Sequence, residues 1–449
     1  MTRLKTLFII SFLIFVLLDN NVSAKQKKFT VWRLQPTEKD QIDFLQTMHM
    51  NDVKLDFWKS PSEIGKEVHV MLSDDKSEQF LKQLNNHSIN HSVMIDDVQK
   101  VIVEQKEKRD KLRKQVRLHD WREQKITNKR NGATKKGIWV DGGIHAREWV
   151  SPSTVLYFIH QLVTQYDKDT QIRHFVDNIE WFIVPLLNPD GYEYSRSSND
   201  PEIRLWRKNR SPAKCIQQTS GLFQPPSTTC CQGVDLNRNF DWFFGQVGSS
   251  TDPCSEIYQG AYAFSEPETA AVRDFVQRHR ISTFLTFHSY SQILMYPFGH
   301  QVRTYSNDLN DLRSTALSAA QALNSVYNTQ YKVGTGADTL YPAAGGSEDW
   351  AKGKAHVKFS FLFELRPEEQ VWDGFLLAEN QILPTARETW EAVKVIAQKT
   401  IELPANTQRS PAKRCIDHDS LCPSWAQGGA CENWPEMRLR CPRSCEVCV

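Results

Sequence analysis

Between residues 137 and 400, short and almost wholly apolar runs alternate with longer stretches of helical period. No other feature of this 449-residue chain constrains its fold as much. GIWVDGG (137–143), IEWFIVPLLNPDG (179–191), ISTFLTFHSYS (281–291) and VKFSFLFELR (357–366) read as buried strands. A strand with one wet face would alternate polar and apolar residues, so runs this apolar fit a sheet covered on both faces. SPSTVLYFIHQLVTQY (151–166), SEPETAAVRDFVQRH (265–279), DLNDLRSTALSAAQALNSVY (308–327) and ILPTARETWEAVKVIAQKTI (382–401) carry apolar residues at helical spacing. Ser265 and Glu268 have the spacing of a capping box, and Pro152 stands early in its helix, where proline is tolerated. The expected fold class is therefore α/β, a sheet flanked by helices, over residues 137–401.

The rest of the chain divides by composition. Residues 25–103 read as a smaller α/β unit, with strands at FTVWRLQP, EVHVMLS and HSVMIDDVQ and helices at KDQIDFLQTM and SEQFLKQLNN. Residues 104–136 hold 13 Lys or Arg, read as a basic linker and a natural site for trypsin-like cleavage. A linker at 402–414 leads to a cysteine-dense tail, 415–449.

At the N-terminus, Arg3 and Lys5 precede an apolar run from Leu7 to Leu18, and small residues lead to Ala24. This is the pattern of a signal peptide over 1–24, and the run is shorter than the ~20 residues a bilayer span needs. The expectation is a secreted, extracellular protein with no membrane span. Ten cysteines fit an oxidising compartment, and sequons at Asn86, Asn90 and Asn209 are compatible with it. A net charge of +2 gives no basic excess, so nucleic acid is not an expected partner.

Open α/β sheets place working groups where strands end. Three strand ends here carry His145 with Glu148, His288, and Glu364. Two histidines and a carboxylate are a ligand set of catalytic zinc, which needs a separate base to take a proton from water. Each piece alone is weak, since an isolated His-x-x-Glu is most often a surface pair; the combination carries the reading.

The segments GGIHAREW, NPDGYEYS, RLWRKNRS, GVDLNRNFDWFFG, AFSEPET, FHSYSQILMYPFG, AAGGSEDW and FSFLFELRP stand in the order seen in secreted zinc metallocarboxypeptidases of the pancreatic A/B type, which this chain resembles across 138–390. The resemblance implies a mixed eight-stranded sheet between helices and one Zn(2+) per chain. It implies His145, Glu148 and His288 as zinc ligands, Asp235 as the carboxylate orienting the first histidine, and Glu364 as general base and acid. Arg207 is implied as the oxyanion-stabilising cation, Asn237 and Arg238 as the clamp on the substrate's terminal carboxylate, Arg147 as an outer subsite and Tyr341 as a mobile cover. A guanidinium beside an amide suits a free carboxylate, because it binds bidentately where lysine cannot. Glu348 stands where A-type enzymes carry an aliphatic residue and B-type enzymes Asp, so it implies a preference for C-terminal Lys or Arg. Gly336 matches the B-type pocket, whereas Leu362 departs from the family's threonine.

Residues 25–103 resemble the family's activation peptide, a ferredoxin-like module covering the active site, so an activating trypsin-like protease is an expected partner. The tail resembles the ShK toxin-like six-cysteine module, which implies Cys415–Cys448, Cys422–Cys441 and Cys431–Cys445, and an extracellular partner for the tail. Cys231–Cys254 matches the family's common disulfide, leaving Cys215 with Cys230. The family places a helix and two strands ahead of GIWVDGG, and none is legible in 104–136. The expectation is a catalytic sheet short of its first strands, with a non-catalytic or poorly folded binding protein as the alternative reading.

Overall fold

The structure, a computed structural model, describes residues 27–52, 55–113, 124–126, 135–218, 227–404, 421–434, 437–441 and 444–445. The signal-peptide reading and the Cys415–Cys448 pairing lie outside these residues. Among the described residues no helix is long and apolar enough to cross a membrane.

The first unit contains β1 (Phe29–Gln35), α1 (Lys39–Asn51), β2 (Asp56–Lys59), β3 (Val68–Ser73), α2 (Asp74–Asn86) and β4 (Asn90–Ile95). Its sheet runs β2-β3-β1-β4, and β1 pairs antiparallel with both β3 and β4. This βαββαβ order is the ferredoxin-like arrangement. The alternation of Leu34, Val68, Val70 and Leu72 turns one sheet face onto Phe80 and Leu84 of α2, forming a core separate from that of the larger unit.

Helix α3 (Val98–Arg113) crosses the boundary expected at 103/104, so part of the segment read as a linker is helical. Three residues of that segment, Gln124–Ile126, form β5 and pair antiparallel with β7 (Ile179–Val184). One short strand thus stands where none was legible, and among the described residues the sheet has seven strands, one fewer than the eight the resemblance implies. Only three residues pair, and they are polar at two positions, which hid them from a reading based on apolar runs.

The large unit is built on the mixed sheet β12-β11-β13-β10-β6-β7-β5, whose edge strand β12 is Lys332–Thr335. Parallel pairs join β7 to β6 (Lys136–Gly142), β6 to β10 (Ile281–Ser291) and β10 to β13 (Phe359–Glu368), whereas β11 (Ile293–Tyr296) runs antiparallel to β13. All eleven residues of β10 are buried, as its unbroken apolar run requires. One face packs under α4 (Val150–Thr164), α5 (Thr170–Asn178), α8 (Leu309–Tyr327) and α10 (Ile382–Glu402), with Phe158, Trp181, Phe287 and Trp390 at the centre. The other packs Trp139, Phe240, Phe284 and Trp350 under α7 (Pro267–Arg278) and α9 (Ser347–Gly353); between α5 and α7 lies α6 (Pro189–Arg196).

Beyond the sheet, Cys215–Cys230 and Cys231–Cys254 staple the hairpin of β8 (Lys214–Gln218) and β9 (Ser227–Cys231), and Cys422–Cys441 and Cys431–Cys445 hold the tail. The sequon at Asn209 is not a glycosylation site of the folded chain. Asn209 is buried, and its amide donates to Glu266 Oε2 at 2.8 Å.

Candidate active site

Because β6, β10 and β13 run parallel, their C-terminal ends share one edge of the sheet. Register places His288 of β10 beside Glu364 of β13. The loop after β6 starts at Gly143, whose φ of +65° is left-handed; a Cβ there would come within 2.7 Å of Leu186 Cδ1. That turn carries His145 and Glu148 over the ends of the neighbouring strands, and the amide of Ala146 donates to the Arg207 carbonyl to fix it.

His145, Glu148 and His288 are buried, with one ligand-type atom from each lying within 4.8 Å of the others. His145 Nδ1 is 2.7 Å from Glu148 Oε1 and 3.2 Å from His288 Nδ1, which is 3.3 Å from Glu148 Oε2. His145 Nε2 is 3.0 Å from Asp235 Oδ1. A proton held between Nε2 and Asp235 leaves the Nδ1 lone pair free, the state in which imidazole ligates a metal. Two imidazole nitrogens and a carboxylate facing one point are a donor set that a divalent cation satisfies, and the N,N,O chemistry fits zinc. Burial pushes the Glu148 carboxyl up, but the two histidines outweigh it and hold it below the usual range. Asp235 is likewise held well below its ordinary value, with Arg207 and His145 outweighing burial.

Asp235 also takes Arg207 Nε at 3.0 Å and caps the short turn Leu236–Arg238 by accepting the Asn237 amide at 3.1 Å. That cap presents Asn237 and Arg238 to the cleft, and Asn237 Oδ1 accepts the Ser347 amide at 2.9 Å at the start of α9. The same helix start carries Glu348. Its carboxylate lies over Gly346, where a Cβ would meet Oε1 at 2.8 Å, and Oε2 is buried without a hydrogen-bond partner. Burial, with Asp349 adding to it, pushes Glu348 up to about 7. Gly336 and Gly299 leave space beside it, and Leu362 joins Met295 and Leu340 in an apolar wall. Glu364 and Tyr341 line the same cleft, and burial raises the Glu364 carboxyl to about 8. The structure thus gathers His145, Glu148, Arg207, Asn237, Arg238, His288, Tyr341, Glu348 and Glu364 around one cleft, with Asp235 beneath it.

Arg147 lies apart from an open subsite. Its Nη1 donates to Asp56 of β2 at 2.8 and 3.0 Å, and its guanidinium covers the Phe375 ring at 4.3 Å. Trp58 and Lys59 of the same strand line the cleft, Trp58 edge-on to Phe375, with Lys59 paired to Glu369. These contacts were not legible in the sequence, since DFWK is a short strand with no motif. Asp349 was missed too: both its oxygens accept the Gly299 amide, at 2.9 and 2.8 Å, holding the pocket wall beside Glu348. The alternative reading of a damaged, non-catalytic unit is not favoured, because the sheet and the ends that carry these groups are formed.

Comparison with known proteins identifies the families this chain matches. The family model described as zinc carboxypeptidase matches residues 100–392, carboxypeptidase activation peptide matches 32–105, and ShK domain-like matches 414–448. The catalytic match begins ahead of residue 137, as β5 requires. Carboxypeptidase A2 of Rattus norvegicus is 35% identical over 413 residues, 83% of this chain and 94% of that protein. Carboxypeptidase B of Astacus astacus is 43% identical over 270 residues, 60% of this chain and 82% of that protein. Among solved structures, carboxypeptidase A from Helicoverpa armigera superposes with a TM-score of 0.71 at 25% identity, covering 85% of this chain and 99% of that one. Thrombin activatable fibrinolysis inhibitor gives 0.68 at 29%, covering 84% and 100%.

Proposed function

The chain belongs to the zinc carboxypeptidase family and is a metallocarboxypeptidase with an activation peptide, and from that premise we propose that it is a secreted zymogen that removes C-terminal Lys and Arg from peptides and proteins. The observation that carries the side-chain preference is the Glu348 carboxylate beside an apolar pocket wall, its Oε2 buried without a hydrogen-bond partner. An acidic base beneath Leu362, Met295 and Leu340 suits a side chain with an alkyl stem and a cationic tip.

In this reading His145, Glu148 and His288 hold zinc, and Asp235 fixes the orientation and tautomer of His145. Zinc supplies a Lewis acid that polarises the scissile carbonyl and acidifies water. Glu364 takes the proton of the attacking water and returns it to the departing amine. Its carboxyl is raised towards neutrality, where one group both accepts and donates well. Arg207 stabilises charge developing on the carbonyl oxygen, a role worth ~3 kcal/mol when one such donor is removed. Asn237 and Arg238 hold the terminal carboxylate, which restricts cleavage to the last residue, and Tyr341 closes over it. Trypsin-like cleavage after the propeptide withdraws Asp56, Trp58 and Lys59 and frees Arg147 as an outer subsite. The tail, held by its disulfides, serves an extracellular partner.

The test is to treat the expressed chain with trypsin and assay hippuryl-type peptides ending in Arg, Phe or Glu, with and without a chelator. Chelator-sensitive release of Arg above Phe is expected. No chelator-sensitive release from any peptide would refute the enzyme, and release of Phe alone would refute the basic pocket.

A further inference from the structure

The strand that blocks the cleft shows what the cleft rim prefers to hold. Lys59 of β2 lines the cleft and pairs with Glu369, with side-chain exposures of 5% and 29%. One residue along, the Gln370 carbonyl accepts Arg33 Nη2 at 3.0 Å, so two propeptide cations dock on the 369–370 loop. Glu369 directly follows β13, the strand that carries Glu364, and through Lys59 it meets the cleft lining. Lys59, Arg33 and their neighbour Glu67 all belong to the propeptide and leave with it. Glu369 stays, and loses the cation the zymogen gives it.

We infer that Glu369 is a subsite for a basic residue of the substrate upstream of the scissile bond, occupied in the zymogen by Lys59 as a stand-in. This rests on the exopeptidase reading of the cleft but not on the preference of the Glu348 pocket. Together with that preference it selects C-termini carrying two basic residues. Endoproteolysis on the C-terminal side of paired basic residues is the class of reaction that supplies such ends. Arg147, stacked over Phe375, carries the opposite sign and holds Asp56, so a second charge of the cleft would read a different upstream position.

The trypsin-activated chain tests this with peptides that share the best-released C-terminal residue and carry lysine or its neutral isostere norleucine at each of four upstream positions. Lysine at one position is expected to raise kcat/KM about fivefold over norleucine, the scale of a partly exposed ion pair. The ratio falls to about one in Glu369→Gln, and Glu369→Lys favours glutamate there instead. Ratios below twofold at all four positions in the wild-type enzyme would overturn the subsite, as would a preference unchanged in Glu369→Gln. No turnover of any peptide would overturn the exopeptidase reading and this inference with it.

Discussion

Glu348 brings to the pocket a carboxylate whose Oε2 is buried without a hydrogen-bond partner and whose charge Asp349 repels, so a cationic side chain there would relieve both costs. Raised to about 7, it is neutral below that pH and charged above it. Cation recognition needs the charged form, so affinity for peptides ending in Arg falls as pH drops through about 7, while peptides ending in Phe do not follow. Steady-state KM values across pH 5.5–8.5 check this. Glu348→Leu should lower kcat/KM on Arg peptides about 100-fold, the ~3 kcal/mol scale of truncating one partner of a buried charge pair, and should erase the pH step. An unchanged Arg preference in the variant would place the specificity elsewhere. The sequence made Glu348 legible through its place before Trp350, but not Asp349 or the open volume at Gly299 and Gly346, which depend on side chains folding back on distant loops.

At the scale of elements, strands with dense apolar runs were readable because burial on both faces leaves no other composition open to them. β6, β10 and β13 are examples, and their parallel register brings His288 level with Glu364. β5 was not readable: Gln124 and Lys125 need no apolar neighbours at a sheet edge, where charged residues also discourage edge-to-edge pairing. Helix α3 was divided by a boundary drawn on charge, because a charged helix and a charged linker share a composition. Proteases cut extended backbone, so the basic pair Lys108-Arg109 inside α3 should resist trypsin. N-terminal sequencing of the activated enzyme is expected to give a start at or after Lys114. A start at Asp110 would mean that α3 opens before activation.

For the whole molecule, the propeptide sheet covers the cleft with several contacts, most of them from β2. β2 sets Asp56 on the buried Arg147, Trp58 on Phe375 and Lys59 on Glu369, while His69 Nδ1 of β3 lies 2.8 Å from Tyr290 Oη across the same interface. Removing Asp56 leaves the Arg147 charge buried without its carboxylate, a loss on the ~3 kcal/mol scale. The Asp56→Ala zymogen should therefore show at least about tenfold more peptide release before trypsin than the wild type. Equal basal rates would mean that another contact holds the propeptide.

In the proposed mechanism His145, Glu148 and His288 hold the metal and Glu364 uses it without holding it. Zinc content per chain, measured by mass spectrometry beside Arg release after trypsin, tests both halves. One zinc is expected in the wild type and in Glu364→Gln, with release lost about 1,000-fold in the latter. Glu148→Gln and His288→Ala should lose both zinc and release. Full zinc occupancy in His288→Ala, or normal release by Glu364→Gln, would contradict it.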